Sequence, residues 1–319
     1  MIHVPERLRH SVAGGPGGDE WLEALPTLVQ RNARRWQLTL ERPFDDGMAA
    51  WTAPAVGPTG APVVLKISYP HSEARYEADA LRVWAGNGAV RILDAHEDDW
   101  ALLLTGCRPG TALRDADLDE AAHIRIGAEL IERMASVTVA PDAPFPRLVQ
   151  VAAELADIAG ERMDRLAGSA PIPWDRGLLL HAVTLLRTLP VGAPREGLAH
   201  GDLNPGNILR HDTDGTATWV AIDPKAVVGD LAWDPWPLIT QVGHWTEAVP
   251  PAGVLAERTR LLSDLTGLDG ARVAAWATAR GVESALWAAD RGWWTGFRGA
   301  DGELERARAW ASATTILGG

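Results

Sequence analysis

The spacing of apolar residues changes near Arg108, and this change limits the possible folds more than any other feature of the sequence. Before Arg108, short alternating or β-branched apolar segments predict the order strand, strand, strand, helix, strand, strand. After it, three long stretches carry apolar residues at helical intervals: Leu118–Val137, Leu148–Ala167 and Trp174–Leu189. The pattern predicts an α+β chain of two lobes. An antiparallel sheet with a helix occupies residues 1–106, and a larger, mainly helical lobe occupies residues 107–319.

The first lobe is predicted to contain a three-stranded antiparallel meander behind a leading helix over residues 19–35, which Pro26 interrupts. Alternation over residues 36–40 predicts the first strand, and a turn at Asp46 and Gly47 leads to the second. The β-branched run VVLKIS is then the third strand. It places one lysine, Lys66, inside an apolar segment.

Lys66 is the first candidate functional residue, because an ammonium group in an apolar strand is costly unless it is paired. Glu77 on the following helix is the natural partner, and Glu73 on the same helical face is the alternative. A lysine held in this way would be directed at the phosphates of ATP. The structural alternative is a lysine on the solvent side of an edge strand.

The segment HGDLNPGNIL, residues 200–209, carries the strongest chemical signal in the chain. Asp202 and Asn207 lie on a turn that Pro205 and Gly206 keep out of a helix. Kinases use this spacing to present a carboxylate to the acceptor hydroxyl and an amide oxygen to magnesium. The sequence therefore predicts Asp202 as the catalytic residue and Asn207 as a metal ligand. A surface turn rich in Asp, Asn, Gly and Pro is the alternative.

Asp223 is the second predicted metal ligand. It follows the β-like run WVAI, and a carboxylate at a strand end can supply the anionic oxygen that a magnesium ion on two phosphates needs. An aspartate that caps a turn is the alternative. The order of a strand lysine, a helix glutamate, an Asp–Asn loop and a strand-ending aspartate favours the metal-binding interpretation.

Further nucleotide contacts are predicted at two connections. The strand ALLLT runs into a Gly- and Pro-containing segment between the lobes, where Leu104 to Cys107 would contact the adenine edge through backbone groups. The turn at Gly47 would cover the phosphates. It lacks the glycine-rich spacing of protein kinases, and an ordinary hairpin turn is equally consistent with it.

The net charge and the composition limit the classes of partner that the protein is expected to bind. A net charge of -12 argues against nucleic acid, which needs clustered Lys and Arg, and would attract a cationic ligand, although acidic composition also serves solubility. Cys107 is the only cysteine, so no intrachain disulfide forms, and a partly buried thiol is its ordinary interpretation. Without a membrane-length apolar run or a signal-peptide pattern, we expect a cytoplasmic protein that does not bind membranes.

A polycationic substrate would need carboxylates near the catalytic loop. The predicted ligands are Asp230 and Asp234, with Glu283 and Asp290 on a C-terminal helix behind them. Asp230 could equally fix its own loop, and the helix carboxylates could be solvated. The 15 tryptophans are expected mostly in the core, but six could line a substrate site: Trp233, Trp236, Trp245, Trp287, Trp293 and Trp294.

These motifs resemble the aminoglycoside phosphotransferases, in particular the aminoglycoside/hydroxyurea resistance kinases of the streptomycin 6-phosphotransferase type. The likeness runs from IHVP through LKIS, EADALRVW, HGDLNPGNIL and AIDPKAVVGDLAWDPWPLI to the C-terminal helices. It implies a two-lobed protein-kinase-like fold, ATP as donor and magnesium. By resemblance Asp202 is the catalytic aspartate, Asn207 and Asp223 are metal ligands, and Lys66 is the nucleotide lysine. Asn204 stands where many members carry histidine, and LTGCRPG differs from the usual hinge.

Three functions fit the sequence. The first is an ATP- and magnesium-dependent O-phosphotransferase acting on a streptomycin-like aminoglycoside. The second is a kinase of another hydroxylated metabolite, such as a sugar, an amino-sugar or hydroxyurea. The third is a nucleotide-binding protein without turnover, and the complete set of Lys66, Asp202, Asn207 and Asp223 argues against it.

Overall fold

The structure is a computed structural model that describes residues 2–166, 174–213, 215–296 and 299–319. Its contacts divide the chain into two compact units. The first contains Met1–Ala112 and Ile208–Lys225, and the second contains Leu113–Asn207 and Ala226–Gly319. The observed division differs from the predicted one at residue 106, because the segment Ile208–Lys225 folds with the first unit.

The first unit is built on a five-stranded antiparallel sheet. Its strands lie in the order β1 (Thr39–Leu40), β2 (Ala50–Val56), β3 (Pro62–Ser68), β5 (Ala101–Thr105) and β4 (Ile92–His96). The predicted meander is confirmed, with Lys66 on its third strand between Thr52 on β2 and Leu102 on β5. Lys66 is therefore on a central strand, not an edge strand.

Among the described residues of this unit are the α-helices α1 (Glu6–Val12), α2 (Gly18–Arg35) and α3 (Glu77–Trp84). The apolar face of α2 packs in one buried cluster with the sheet, where Leu25 and Val29 meet Leu65. The expected interruption at Pro26 was wrong, because the helix runs through it. Burial of this face outweighs the one backbone hydrogen bond that the proline removes.

The predicted first strand was too long. Trp36 ends α2 rather than beginning a strand, and its backbone N–H donates to Asn32 O at 3.0 Å. Its indole N–H donates to the Asp94 carboxylate at 2.7 Å, so the side chain is fixed against β4. Only Thr39–Leu40 then pairs with β2.

A second sheet in the first unit explains why the later segment folds there. Strands β6 (Pro109–Ala112), β8 (Ile208–Thr213) and β9 (Thr216–Ala221) lie in the order β6-β8-β9. The end of β9 is tied to the loop after α3, since Ala221 N–H donates to Gly88 O and Val90 N–H donates to Ala221 O, both at 2.8 Å. This tie fixes the start of the segment that contains Asp223.

The second unit is mainly helical. Its elements are α4 (Glu120–Ala135), α5 (Leu148–Leu166), α6 (Arg176–Thr188), α7 (Trp236–Gln241), α8 (Pro251–Thr266), α9 (Gly270–Asp290) and α10 (Ala300–Gly318), with an antiparallel pair of strands, β7 (Glu196–Ala199) and β10 (Val227–Asp230). The three predicted helices are confirmed as α4, α5 and α6, although Ala167 lies outside the described residues. One core cluster joins α5, α6, α9 and α10, and Leu179, Leu286 and Leu304 are among its buried members. Within the described ranges, no helix has the length and apolarity needed to cross a membrane.

Candidate active site

Lys66 makes ion pairs with two carboxylates inside the first unit. Its Nζ atom is 2.7 Å from both oxygens of Glu77 and 2.5 Å from Asp223 Oδ1. Lys66 is 7% exposed and Glu77, the first residue of α3, is 2% exposed. The alternative partner, Glu73, instead lies 3.4 Å from Lys225. The structure thus pairs Lys66 with the carboxylate that the sequence favours.

These three charges perturb one another because little water reaches the lysine and glutamate. Burial lowers the pKa of Lys66, but the charges of Asp223 and Glu77 outweigh that effect and hold the pKa above its ordinary value. Burial raises the pKa of Glu77 to about 7, against the lowering effect of Lys66 and together with the repulsion from Asp223. Lys66 therefore remains charged at neutral pH.

Asp223 is presented by a tight turn of the backbone. Two residues after β9 it adopts φ = +59°, a left-handed conformation that aspartate tolerates better than most residues. The turn brings its carboxylate to Lys66 while 52% of the side chain stays exposed. A carboxylate that is fixed on one side and open to solvent on the other is suited to bind a hard cation.

Asp234 holds the start of the Asp–Asn loop in the second unit. His200 and Gly201 donate their backbone N–H groups to the two oxygens of Asp234, at 2.8 and 2.7 Å. Asp234 is 2% exposed, and burial raises the pKa of its carboxyl group above the usual value despite the lowering effect of His200 and these hydrogen bonds. These hydrogen bonds support the start of the loop, and the substrate contact expected from the sequence for Asp234 stays a prediction.

Asp202 and Asn207 lie at the two ends of the turn that follows. Leu203 and Pro205 are buried and anchor the turn, whereas Asp202 and Asn207 are partly exposed. The side-chain amide of Asn207 donates to the main-chain oxygen of Asp202 at 3.0 Å. Because the nitrogen is used in that contact, the amide oxygen is the atom of Asn207 that can bind a metal.

Arg114 lies against the same turn and was not singled out in the sequence. A Cβ atom on Gly206 would be 2.7 Å from Arg114 Nη1, so this guanidinium lies close to the turn. No motif marks Arg114, which belongs to a short turn at Leu113–Asp115. Only the fold reveals it as a neighbour of the loop.

The other predicted substrate carboxylates are engaged within the protein. Asp230 is 1% exposed and accepts hydrogen bonds from Arg272 Nε at 2.5 Å and Trp276 Nε1 at 2.7 Å. This geometry favours the structural alternative for Asp230. Glu283 pairs with Arg162 at 3.1 Å, and Asp290 lies 3.6 Å from the same arginine. A cationic substrate would have to compete with these arginines for the two carboxylates.

The six candidate tryptophans divide by exposure. Trp233 and Trp245 are buried, Trp236 and Trp294 are partly buried, and Trp287 and Trp293 are exposed. The guanidinium of Arg280 lies 4.2 Å from the ring centre of Trp233 and 5.4 Å from that of Trp236. Arg291 lies 3.9 Å from the ring centre of Trp287. The described structure therefore pairs several of these rings with the protein's own cations, and a substrate role for them stays a prediction.

The predicted adenine and phosphate contacts also stay predictions. Leu104 is buried in β5 opposite Val64. Burial raises the pKa of the Cys107 thiol to about 11, which makes it an unreactive, partly buried group. A Cβ atom on Gly47 would lie 2.6 Å from Ala50 O, so a close approach of backbone already explains this glycine.

The fold of this chain is similar to that of solved choline kinases and aminoglycoside phosphotransferases, which have a protein-kinase-like fold. A thermostable variant of aminoglycoside phosphotransferase APH(4)-Ia, solved with AMP-PNP and hygromycin B, matches it with a TM-score of 0.59 over 92% of this chain and 97% of that chain. With 13% sequence identity, that likeness shows the fold alone.

Sequence comparison gives the family. The chain belongs to the aminoglycoside/hydroxyurea antibiotic resistance kinases, whose family model matches residues 35–292. It is 32% identical to a streptomycin 6-kinase of Streptomyces glaucescens, over 90% of this chain and 91% of that protein. It is 33% identical to a hydroxyurea phosphotransferase of Kitasatospora aureofaciens, over 88% of this chain and 77% of that protein. The resemblance and the fold class predicted from the sequence are confirmed, and the protein is a kinase.

Proposed function

We propose that this kinase transfers the γ-phosphoryl group of ATP to a hydroxyl group of streptomycin or a similar aminoglycoside. The streptomycin 6-kinase with 32% identity supports this acceptor, and the solved complex of a structural relative with AMP-PNP and hygromycin B supports this pair of substrate classes. The observation that carries the proposal is the buried Lys66–Glu77 pair with Asp223 beside it. A strand lysine held by a helix glutamate is the arrangement with which kinases bind nucleotide phosphates.

Each residue of the set has one role in this proposal. Lys66 neutralises negative charge on the phosphates, and Glu77 keeps its ammonium group in place. Asp202 aligns the acceptor hydroxyl and accepts its proton as the oxygen–phosphorus bond forms and the bond from phosphorus to the ADP oxygen breaks. Asp234 keeps Asp202 in position by binding the backbone at the start of the loop. Most of the rate enhancement then comes from orientation and charge neutralisation.

Asp223 and Asn207 are the proposed magnesium ligands, and the residues present suit this ion. Asp223 offers a half-exposed carboxylate, and Asn207 offers an amide oxygen whose nitrogen is already bonded to Asp202. The described residues contain no group of three or more His, Cys, Asp or Glu side chains placed to hold a metal. Magnesium commonly uses only one or two protein carboxylates and takes its other ligands from phosphates and water, so a larger cluster of protein ligands is not required. When bound, the ion would neutralise charge on the phosphates.

A smaller, uncharged acceptor is the second candidate, with hydroxyurea as its example. It is favoured by the hydroxyurea phosphotransferase at 33% identity and by the arginines that already occupy Glu283 and Asp290. A neutral acceptor would not need those carboxylates. The chemistry at Asp202 would be unchanged.

A phosphorylation screen tests the two acceptors. The protein is incubated with ATP and magnesium and with streptomycin, other aminoglycosides, hydroxyurea or amino-sugars, and products are identified by mass. We expect one phosphate on streptomycin and no product with the Asp202→Ala variant. A phosphorylated product with hydroxyurea but with no aminoglycoside would show that the second candidate acceptor is the right one. Equal product with wild type and Asp202→Ala would refute the catalytic assignment.

A further inference from the structure

The side chain of Asn204 joins two parts of the Asp–Asn loop. Its Nδ2 atom donates to Asp202 Oδ1 at 3.0 Å, and its Oδ1 atom accepts the backbone N–H of Gly206 at 2.9 Å. The backbone of Asn204 also takes part, since its N–H donates to Asp202 O at 2.8 Å and its carbonyl accepts from Asn207 N at 2.9 Å. One residue therefore connects the proposed catalytic carboxylate to the turn that carries the proposed metal ligand.

The orientation of the Asn204 amide follows from its partners. A backbone N–H can only donate, so the oxygen of the amide must face Gly206. The nitrogen is then forced toward Asp202, whose carboxylate can only accept when it is ionised. A hydrogen bond to a charged carboxylate is stronger than one between neutral groups, and it restricts rotation of the carboxylate about its Cβ–Cγ bond.

We propose that Asn204 is a positioning residue, which fixes the carboxylate of Asp202 in the orientation that accepts the proton of the acceptor hydroxyl. The proposal rests on the catalytic role proposed above for Asp202. With Oδ1 bound to Asn204, the direction in which the second oxygen accepts a proton is set by the turn rather than by free rotation. The hydrogen bond that Asn204 Oδ1 accepts from the Gly206 N–H has a separate effect, because it stabilises the conformation of the turn.

Two variants separate these effects. Asn204→Ser is neutral and keeps a hydroxyl that can accept from the N–H two residues on, but it is too short to reach the Asp202 carboxylate. Asn204→His restores a long donor, since a neutral imidazole can accept with one ring nitrogen and donate with the other. Asp202→Ala is measured in parallel as the control for the chemistry itself. Thermal unfolding of each variant shows whether the turn is preserved.

The readout is the steady-state rate with streptomycin as acceptor, resolved into kcat and the KM values for ATP and streptomycin. We expect kcat of Asn204→Ser to fall about 10-fold to 100-fold, the range that loss of a hydrogen bond to a charged group produces. Both KM values and the melting temperature should stay close to those of the wild type. Asn204→His should recover most of kcat.

Four results would overturn the proposal. Normal kcat in Asn204→Ser would show that Asp202 needs no such support. A loss confined to the KM for ATP would make Asn204 a phosphate ligand instead. Failure of Asn204→His to recover kcat, with an unchanged melting temperature, would show that the donor is not what matters. Normal turnover in Asp202→Ala would remove the catalytic role on which the proposal rests, and only that result would also contradict the proposed function.

Discussion

Replacing Lys66 by methionine should make the stability of the protein depend on pH above neutrality. Methionine keeps most of the length of the side chain but removes the charge that sits 2.7 Å from both oxygens of Glu77. Glu77 is only 2% exposed in the wild type, so in the variant it is a buried carboxyl group without its lysine partner. The negative charge of Asp223 still acts on it. Both the burial and this neighbour disfavour an ionised Glu77.

The size of the effect follows from the proton on Glu77. In the wild type, burial raises the pKa of Glu77 from 4.5 to about 7, and Lys66 keeps it from rising further. A folded-state pKa above the unfolded value means that stability is lost as pH rises toward the folded pKa, here from about pH 4.5 to about pH 7. Without Lys66 this loss continues above pH 7, at about 1.4 kcal/mol per pH unit. At about pH 8.5 the variant should therefore have lost about 2 kcal/mol more than the wild type has.

Urea denaturation followed by tryptophan fluorescence measures this difference. We expect the gap between wild type and Lys66→Met to be smallest at about pH 6, where Glu77 is largely protonated in both, and to widen steadily above pH 7. The double variant Lys66→Met/Glu77→Leu has no buried carboxyl group at this position and should close the gap. Parallel stability curves for wild type and Lys66→Met between about pH 6 and 8.5, or a double variant no more stable than the single one, would refute the reasoning.

Three further substitutions test other contacts. Asp202→Ala should lower kcat by about 10²-fold to 10⁴-fold while calorimetry finds ATP binding nearly unchanged, and near-normal turnover would contradict the assignment. Asp234→Ala leaves the N–H groups of His200 and Gly201 without their acceptor, so the melting temperature and kcat should both fall, with a destabilisation of about 2 kcal/mol or more. For Asp99, burial raises the pKa, but hydrogen bonds from Arg31 and Asn32 outweigh it and hold the pKa below its usual value. Its stabilisation is thus present above about pH 4 and lost as pH falls, so Asp99→Asn should be less stable at neutral pH and lose less on acidification. An equal loss of stability on acidification in Asp99→Asn and in the wild type would contradict this prediction.

The parts of the site that the sequence predicted are those encoded by local patterns. Lys66 could be placed on a third strand because alternation and β-branched residues mark strands, and Glu77 followed on the next helix. The turn from Asp202 to Asn207 could be predicted because proline and glycine disfavour a continuous α-helix there, and the structure has only a single 3-10 turn at Pro205–Asn207. Neither inference needed knowledge of distant contacts.

The contacts that the sequence could not show depend on partners far away in the chain. Asp230 is bound by Arg272, 42 residues later, and Glu283 by Arg162, 121 residues earlier. The sequence next to either carboxylate gives no sign that an arginine elsewhere in the chain compensates its charge. The same reason explains the helix break expected at Pro26, because only packing against the sheet makes the lost hydrogen bond tolerable.

The return of Ile208–Lys225 to the first unit has a consequence for how genes of this family can recombine. The unit that holds Lys66 and Asp223 is encoded by two stretches separated by the codons for Leu113–Asn207. A single crossover after Ala112 would join β6 from one parent to β8 from another, and would bring Asp223 from a different ancestor than Lys66. Chimeras that exchange both stretches together should therefore stay folded more often than those with one junction. Lys66 and Asp223 thus belong to one folded unit although the stretches that encode them are far apart in the gene.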